Sequence, residues 1–224
     1  MKTLVIIPCY NEQDNILRVI DDIQKHPVEG MDYVVVNDCS KDNSPQILDD
    51  HHINHIDLPV NLGLAGAMQT GYKYAYENDY DIAIQFDGDG QHRAEYLGDL
   101  IKEIENGADI AIGSRFVTEK KNWSARMMGS RVITFIIKLT TGFTLNDPTS
   151  GMRAINKPLI KNFATLINQR PEPDTVAYYI KKGKKMKEIQ VKIDDRIAGV
   201  SYLSGIMSSV TYMLKVVIAI LFFN

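Results

Sequence analysis

The first half of the chain alternates short apolar runs with stretches whose apolar residues recur every three to four positions. Residues 4–7, Leu-Val-Ile-Ile, form a largely β-branched run that stops at Pro8, the pattern of a buried strand. Residues 11–26 follow, with Ile16, Val19, Ile20 and Ile23 on one helical face. Residues 33–36 predict a second buried strand. Ser44-Pro45 has the form of an N-cap followed by proline at the first helical position. A weaker strand at 53–58, a helix at 63–77, a strand at 82–86, a helix at 94–105 and a strand at 110–112 continue the series. This alternation predicts an α/β fold of Rossmann-like type, a mostly parallel sheet flanked by helices. Such sheets bind ligands beyond the carboxyl ends of their strands. Polar clusters sit at those ends here: residues 8–12, 37–40, 87–91 and 113–115.

The second half is less regular. Residues 123–141 predict one long helix, 148–153 a loop, 157–166 a helix and 186–193 an alternating strand. Residues 216–223 are wholly apolar and follow Lys215, while Ser204, Ser208, Ser209 and Thr211 interrupt the part before them. The clean run is shorter than the ~17–25 residues of a membrane-spanning helix. The expectation is a catalytic unit over 1–202 and a C-terminal apolar helix over 203–224. That helix would lie on a membrane interface or pack in a homo-oligomer.

Composition changes the picture in one respect. The 224 residues are 45% hydrophobic and 24% charged, which excludes a disordered tail or a disulfide-stapled mini-protein. The net charge of −3 hides two unequal halves: residues 1–112 carry −14 and residues 113–224 carry +11. The basic half suggests a polyanionic partner or a membrane surface, and no feature points to nucleic acid. Lys181, Lys182, Lys184, Lys185 and Lys187 read first as a solvated turn. No signal-peptide pattern precedes the first strand, and Cys9 and Cys39 make no disulfide framework, so a reducing, cytoplasmic setting is expected, peripheral to the inner membrane face.

The chemistry concentrates in Asp87-Gly88-Asp89-Gly90-Gln91-His92, directly after a strand. Carboxylates at i and i+2 on a glycine turn can both reach one hard divalent cation, which prefers oxygen ligands completed by substrate phosphates. The bland alternative is a polar turn. Four further clusters share the strand ends. Tyr10 can border a base, and Asp38 can accept from a base or a ribose. Gly63 and Gly66 let backbone approach an anion at a helix N-terminus. Arg115 can hold a phosphate.

These motifs in this order resemble family 2 glycosyltransferases of the GT-A fold. The matching pieces are P-C-Y-N-E at 8–12, N-D-C-S-K-D at 37–42, N-L-G-L-A-G-A at 61–67, D-G-D-G-Q-H at 87–92, G-S-R-F at 113–116, D-P-T-S-G-M-R at 147–153 and D-R-I-A-G-V-S at 195–201. Within the family the chain is most similar to polyprenol-phosphate sugar synthases and bacterial cell-surface polysaccharide transferases. The resemblance implies a nucleotide-sugar donor bound by Pro8, Tyr10, Glu12, Val36, Asp38, Gly66 and Asp87. It implies Mg²⁺ or Mn²⁺ on Asp87 and Asp89 with Gln91, and phosphate or acceptor contacts from Arg115, Arg126, Ser130 and Arg196. The acceptor would be polyprenyl phosphate or a lipid-linked glycan.

No base stands out. Asp147, Asp174 and Glu172 are candidates, against bland roles in a turn or at a helix N-terminus. A phosphate acceptor is ionised at neutral pH and needs none. Two other readings stay open here: a non-catalytic sugar-nucleotide-binding subunit, disfavoured by the intact Asp87/Asp89 pair, and a sugar-nucleotide pyrophosphorylase. The latter would carry a G-x-G-x-R loop after the first strand, where this chain has Pro8-Cys9-Tyr10-Asn11-Glu12.

Overall fold

The computed structural model describes residues 1–121, 123–166, 172–195 and 206–222, with the side chains of 125, 126 and 206–210 left out. Among these, seven strands form one sheet: β1 (Thr3–Cys9), β2 (Met31–Asn37), β3 (His55–Asp57), β4 (Ile82–Gln85), β5 (Ile110–Ser114), β6 (Arg153–Asn156) and β7 (Met186–Gln190). Their order is β3-β2-β1-β4-β6-β5-β7. Every pairing is parallel except those of β6, which runs against both β4 and β5. The helices are α1 (Ile16–Lys25), α2 (Ser44–Asp50), α3 (Gly63–Glu77), α4 (Leu97–Glu105), α5 (Ala125–Thr141), α6 (Lys157–Thr165), α7 (Pro173–Lys181) and α8 (Ile206–Phe222).

The apolar runs of the central strands are continuous because both sheet faces are covered. Leu4 and Ile6 of β1 join one core layer with Met68, Tyr72, Ile160, Phe163 and Tyr179. Val5 and Ile7, one residue along, join the other with Ile16, Ile20, Leu48, Leu97 and Leu100. Each such fully buried side chain contributes about 1.5–3 kcal/mol. Val216 and Ile220 place α8 against the first layer.

Three expectations change. Residue 153 begins a strand rather than ending a loop. Helix α1 starts at Ile16, not 11: Asn11 is left-handed (φ 56°), and the carbonyl of Glu12 accepts from the N–H groups of Asn15 and Ile16. The 186–193 strand ends at Gln190. The lysine-rich stretch is a turn between α7 and β7 in which Lys184 pairs with Asp109 at 3.2 Å. Among the described residues, no helix is long and apolar enough to cross a membrane.

Candidate active site

The sheet delivers its polar residues to one rim. Asp38, 3% exposed, follows β2, and its N–H donates to the carbonyl of Cys9 at the end of β1. Its Oδ1 accepts from the N–H of Leu62 at 2.6 Å, which fixes the entrance to α3. Gly66 lies in the first turn of α3, where a Cβ would collide with Leu62. Val36 is fully buried, and Tyr10 stands 47% exposed. Glu12 accepts from the side-chain amide of Asn15 at 2.7 Å, while its N–H donates to Ser44 Oγ. Cys9 is buried, and burial pushes its thiol up to about 12, so it is no nucleophile.

The turn after β4 carries the two carboxylates. Gln85 donates to Asp87 Oδ1 at 3.1 Å, and His92 Nε2 stands 3.6 Å from Oδ2. Burial opposes ionisation of Asp87, but His92, Gln85 and Arg153 outweigh it and hold the carboxyl below the usual carboxylate range. Asp89 is 8% exposed, and its Oδ1 accepts from the N–H of Gln91. Gly88 and Gly151 leave no room for a Cβ, the first against the carbonyl of Pro8 and the second against the Asp87 carboxylate. Among the described residues, no three His, Cys, Asp or Glu side chains gather around one point. Two hard oxygen donors and a glycine-lined approach nevertheless fit a divalent cation completed by diphosphate oxygens. Gln91 donates its side-chain amide to the carbonyl of Asp194 at 3.2 Å, and Asp194 in turn pairs with Arg93.

Beyond β5 the basic half begins. Arg115 Nε and Nη2 donate to both oxygens of Asp147, at 2.6 and 2.7 Å, and the Arg115 N–H donates at 3.1 Å. Asp147 is wholly buried. Burial opposes its ionisation, yet Arg115 and Lys121 outweigh that and hold its carboxyl below the usual range. Lys121, absent from the sequence motifs, donates to Ser130 Oγ at 2.8 Å and Thr134 Oγ1 at 3.1 Å, both on α5. Burial lowers its ammonium to about 8, with Asp147 opposing and Arg115 and Arg131 adding. The guanidinium of Arg115 and the Lys121 Nζ lie 5.1 and 5.3 Å from the Phe116 ring centroid. Two cations thus flank one aromatic ring, and two hydroxyls of α5 hold the second cation.

Arg153 is 6% exposed, held by the carbonyls of Ser150 and Pro148 at 2.8 and 2.9 Å. Asp174 lies in the first turn of α7, half-buried. The side chain of Arg126 and all of Arg196 lie outside the described residues. Arg153 closes the D-P-T-S-G-M-R motif at 147–153, whereas Lys121 carries no motif signal. A hydroxyl pair at i and i+4 on α5, Ser130 and Thr134, was the available hint for the lysine.

The exposed surface has its own pattern. Met128, Val132, Phe135 and Leu139 form an apolar stripe along α5, and Leu214, Ile218 and Leu221 form another on α8, which packs beside it. Lys138, Lys215 and the 85% exposed Trp123 accompany them, with Arg131 stacked on Trp123 at 4.6 Å.

Residues 4–163 match the family model described as glycosyl transferase family 2. The chain is 31% identical to the UDP-N-acetylglucosamine–dolichyl-phosphate N-acetylglucosaminyltransferase of Methanococcus voltae, over 84% of this chain and 83% of that one. It is 27% identical to the polyprenol monophosphomannose synthase of Mycolicibacterium smegmatis, over 91% and 82%. The glucosyl-3-phosphoglycerate synthase of Mycobacterium tuberculosis, solved with phosphoglyceric acid, superposes with a TM-score of 0.73 at 14% identity, covering 97% of this chain and 79% of that one. The same synthase with Mn²⁺, UDP and its product gives 0.68, covering 95% and 78% at 14% identity. A reversed β6 in a parallel sheet, an Asp-x-Asp turn at its rim and these matches lead to one conclusion: the chain belongs to glycosyltransferase family 2, with the GT-A fold, and is a glycosyltransferase.

Proposed function

We propose that the enzyme moves a sugar, with inversion, from a nucleotide-diphosphate donor (a UDP-sugar favoured) to polyprenyl phosphate or a lipid-linked glycan at a membrane surface, in cell-envelope polysaccharide synthesis. One observation carries the reading. Relatives named for dolichyl-phosphate and polyprenol-phosphate transfer align over more than four-fifths of this chain and of their own length.

Asp87 and Asp89 are the residues that would hold Mg²⁺ or Mn²⁺, with Gln91 a third donor by resemblance. A bound cation supplies positive charge where negative charge develops on the leaving diphosphate. The chain's own residues do the rest. Pro8, Tyr10, Glu12, Val36, Asp38 and Gly66 border the nucleotide. Arg115, Lys121 and Ser130, with Arg126 and Arg196 by resemblance, face the acceptor phosphate. That phosphate is already ionised and attacks the anomeric carbon without a base. Asp147 then serves to hold Arg115, and Asp174 has no proton to take. The apolar stripes of α5 and α8 take an anionic bilayer, each flanking basic residue contributing about 1 kcal/mol. The 203–224 segment is the anchor in this reading.

The test offers UDP- and GDP-sugars with Mg²⁺ or Mn²⁺ against polyprenyl phosphate and against a hydroxyl-terminated lipid glycan. Transfer to the phosphate is expected. Transfer to the hydroxyl acceptor alone overturns the phosphate assignment and returns Asp174 as base.

A further inference from the structure

We propose that Tyr212 is a positioning residue through which helix α8 fixes the carboxylate of Glu172, so that seating α8 on a membrane raises the rate of transfer. The inference rests on the lipid-acceptor reading above.

Helix α8 has two unlike sides. Val216 and Ile220 are 5% and 0% exposed, while Leu214, Ile218 and Leu221 face outward. Tyr212 precedes Val216 by one helical turn and packs against the same core layer. Its hydroxyl donates a hydrogen bond to Glu172 Oε2. Burial first, and then the charge and hydrogen bond of Glu172, push the phenol's pKa upward, so it remains a donor at working pH.

Glu172 stands at the N-cap of α7, yet its side chain makes no capping hydrogen bond to that helix. Its side chain is longer than those of the Ser, Thr, Asp and Asn residues that cap a helix. Here one carboxylate oxygen is drawn to α8 instead. The Glu172 carbonyl accepts from the N–H of Val176, so a shift of Glu172 displaces the turn that carries Asp174. Helix α7 packs against α5, the helix whose Ser130 and Thr134 hydroxyls hold Lys121. One tyrosine and one glutamate therefore join α8 to α7, and through α7 to the acceptor-side helix. A bilayer that holds the apolar side of α8 also holds Tyr212 on Glu172.

The test compares the full chain with Tyr212→Phe and Glu172→Gln. Transfer to a short-chain polyprenyl phosphate is followed with and without phosphatidylglycerol vesicles, and vesicle binding by Trp123 fluorescence. Vesicles are expected to raise the wild-type kcat severalfold. Both variants are expected to bind vesicles and to keep the donor KM, but to lose the stimulation, so that their kcat on vesicles stays severalfold below the wild type's. A Tyr212→Phe enzyme that keeps full stimulation overturns the proposal, as does a wild type that transfers equally well without vesicles. No transfer to lipid phosphate under either condition is a failure of the acceptor reading instead. Amide exchange then decides the positioning: vesicles are expected to slow exchange at residues 174–177 in the wild type but not in Tyr212→Phe, and equal exchange overturns it.

Discussion

Arg115 and Asp147, 32 residues apart in sequence, close a two-point ion pair in which every Asp147 side-chain atom is shielded from water. Neither residue is then a freely swinging group. The guanidinium is aimed by the carboxylate, and the carboxylate is kept charged by the guanidinium.

Breaking that pair is expected to be costly. Asp147→Ala leaves a cation largely buried without its partner and should lower stability by about 3–5 kcal/mol in urea denaturation. The folded Asp147 titrates below its ordinary 3.8. Its contribution is therefore complete above about pH 4 and lost as pH falls through the lower folded value. Asp147→Asn should remove that share of the acid-induced loss. An unchanged acid limb in Asp147→Asn would show that other carboxylates control it.

Asp89→Ala should lower transfer at least about a hundredfold, the scale of losing one electrostatic stabiliser of developing charge. Asp89 accepts a local hydrogen bond from the N–H of Gln91, two residues on, so the fold should survive. Rate against Mn²⁺ concentration, with circular dichroism as the control, reads both. Normal transfer by this variant would sink the assignment of the cation to the Asp-x-Asp turn.

Lys121 should give the acceptor step a basic limb. Its ammonium titrates near 8, and an anion beside it favours the charged form. As pH rises through about 8 the cation is lost, and the KM for a lipid phosphate should rise. Lys121→Arg, which stays protonated, should abolish that rise while lowering affinity at neutral pH, because a guanidinium cannot reproduce the two hydroxyl contacts. A flat wild-type profile from pH 7 to 9.5 would remove Lys121 from the acceptor side.

The single tryptophan reports on the bilayer contact. Trp123, 85% exposed beside α5, should shift its emission to the blue on anionic vesicles. Phe135→Glu and Leu139→Glu change the two most exposed positions of the α5 stripe and should abolish the shift with little loss of stability. Retention of vesicle binding by both, with a dimer seen in sedimentation, would assign the stripe to a second copy of the chain.

Much of this was legible in the sequence, for definite reasons. The strands β1, β2, β4 and β5 each carry an apolar run where both faces are buried, and the polar residues that follow these runs lie at the rim. Strand β6 was not legible. Arg153-Ala154-Ile155-Asn156 is four residues long, polar at both ends, and runs straight into the helix begun by Lys157-Pro158. The start of α1 is hidden in the sequence because Asn11 to Asn15 are as polar as a first helical turn, while φ at Asn11 forbids one. The pairings of Arg115 with Asp147 and of Tyr212 with Glu172 have no period or spacing in the chain. They exist only once the sheet has brought residues 32 and 40 positions apart together.

Strand β6 also bears on how the chain comes off the ribosome. It lies between β4 and β5, yet is synthesised about 40 residues after β5. Until it arrives, β4 and β5 each present an unpaired edge, and the acidic half remains an incomplete sheet. That half cannot finish folding as a unit of its own. The nascent chain must hold a gap one strand wide and close it from the inside, a late, long-range step that leaves hydrophobic edges open to misassembly. Fragments ending near residue 115 should accordingly aggregate, although they contain the whole Asp-x-Asp turn.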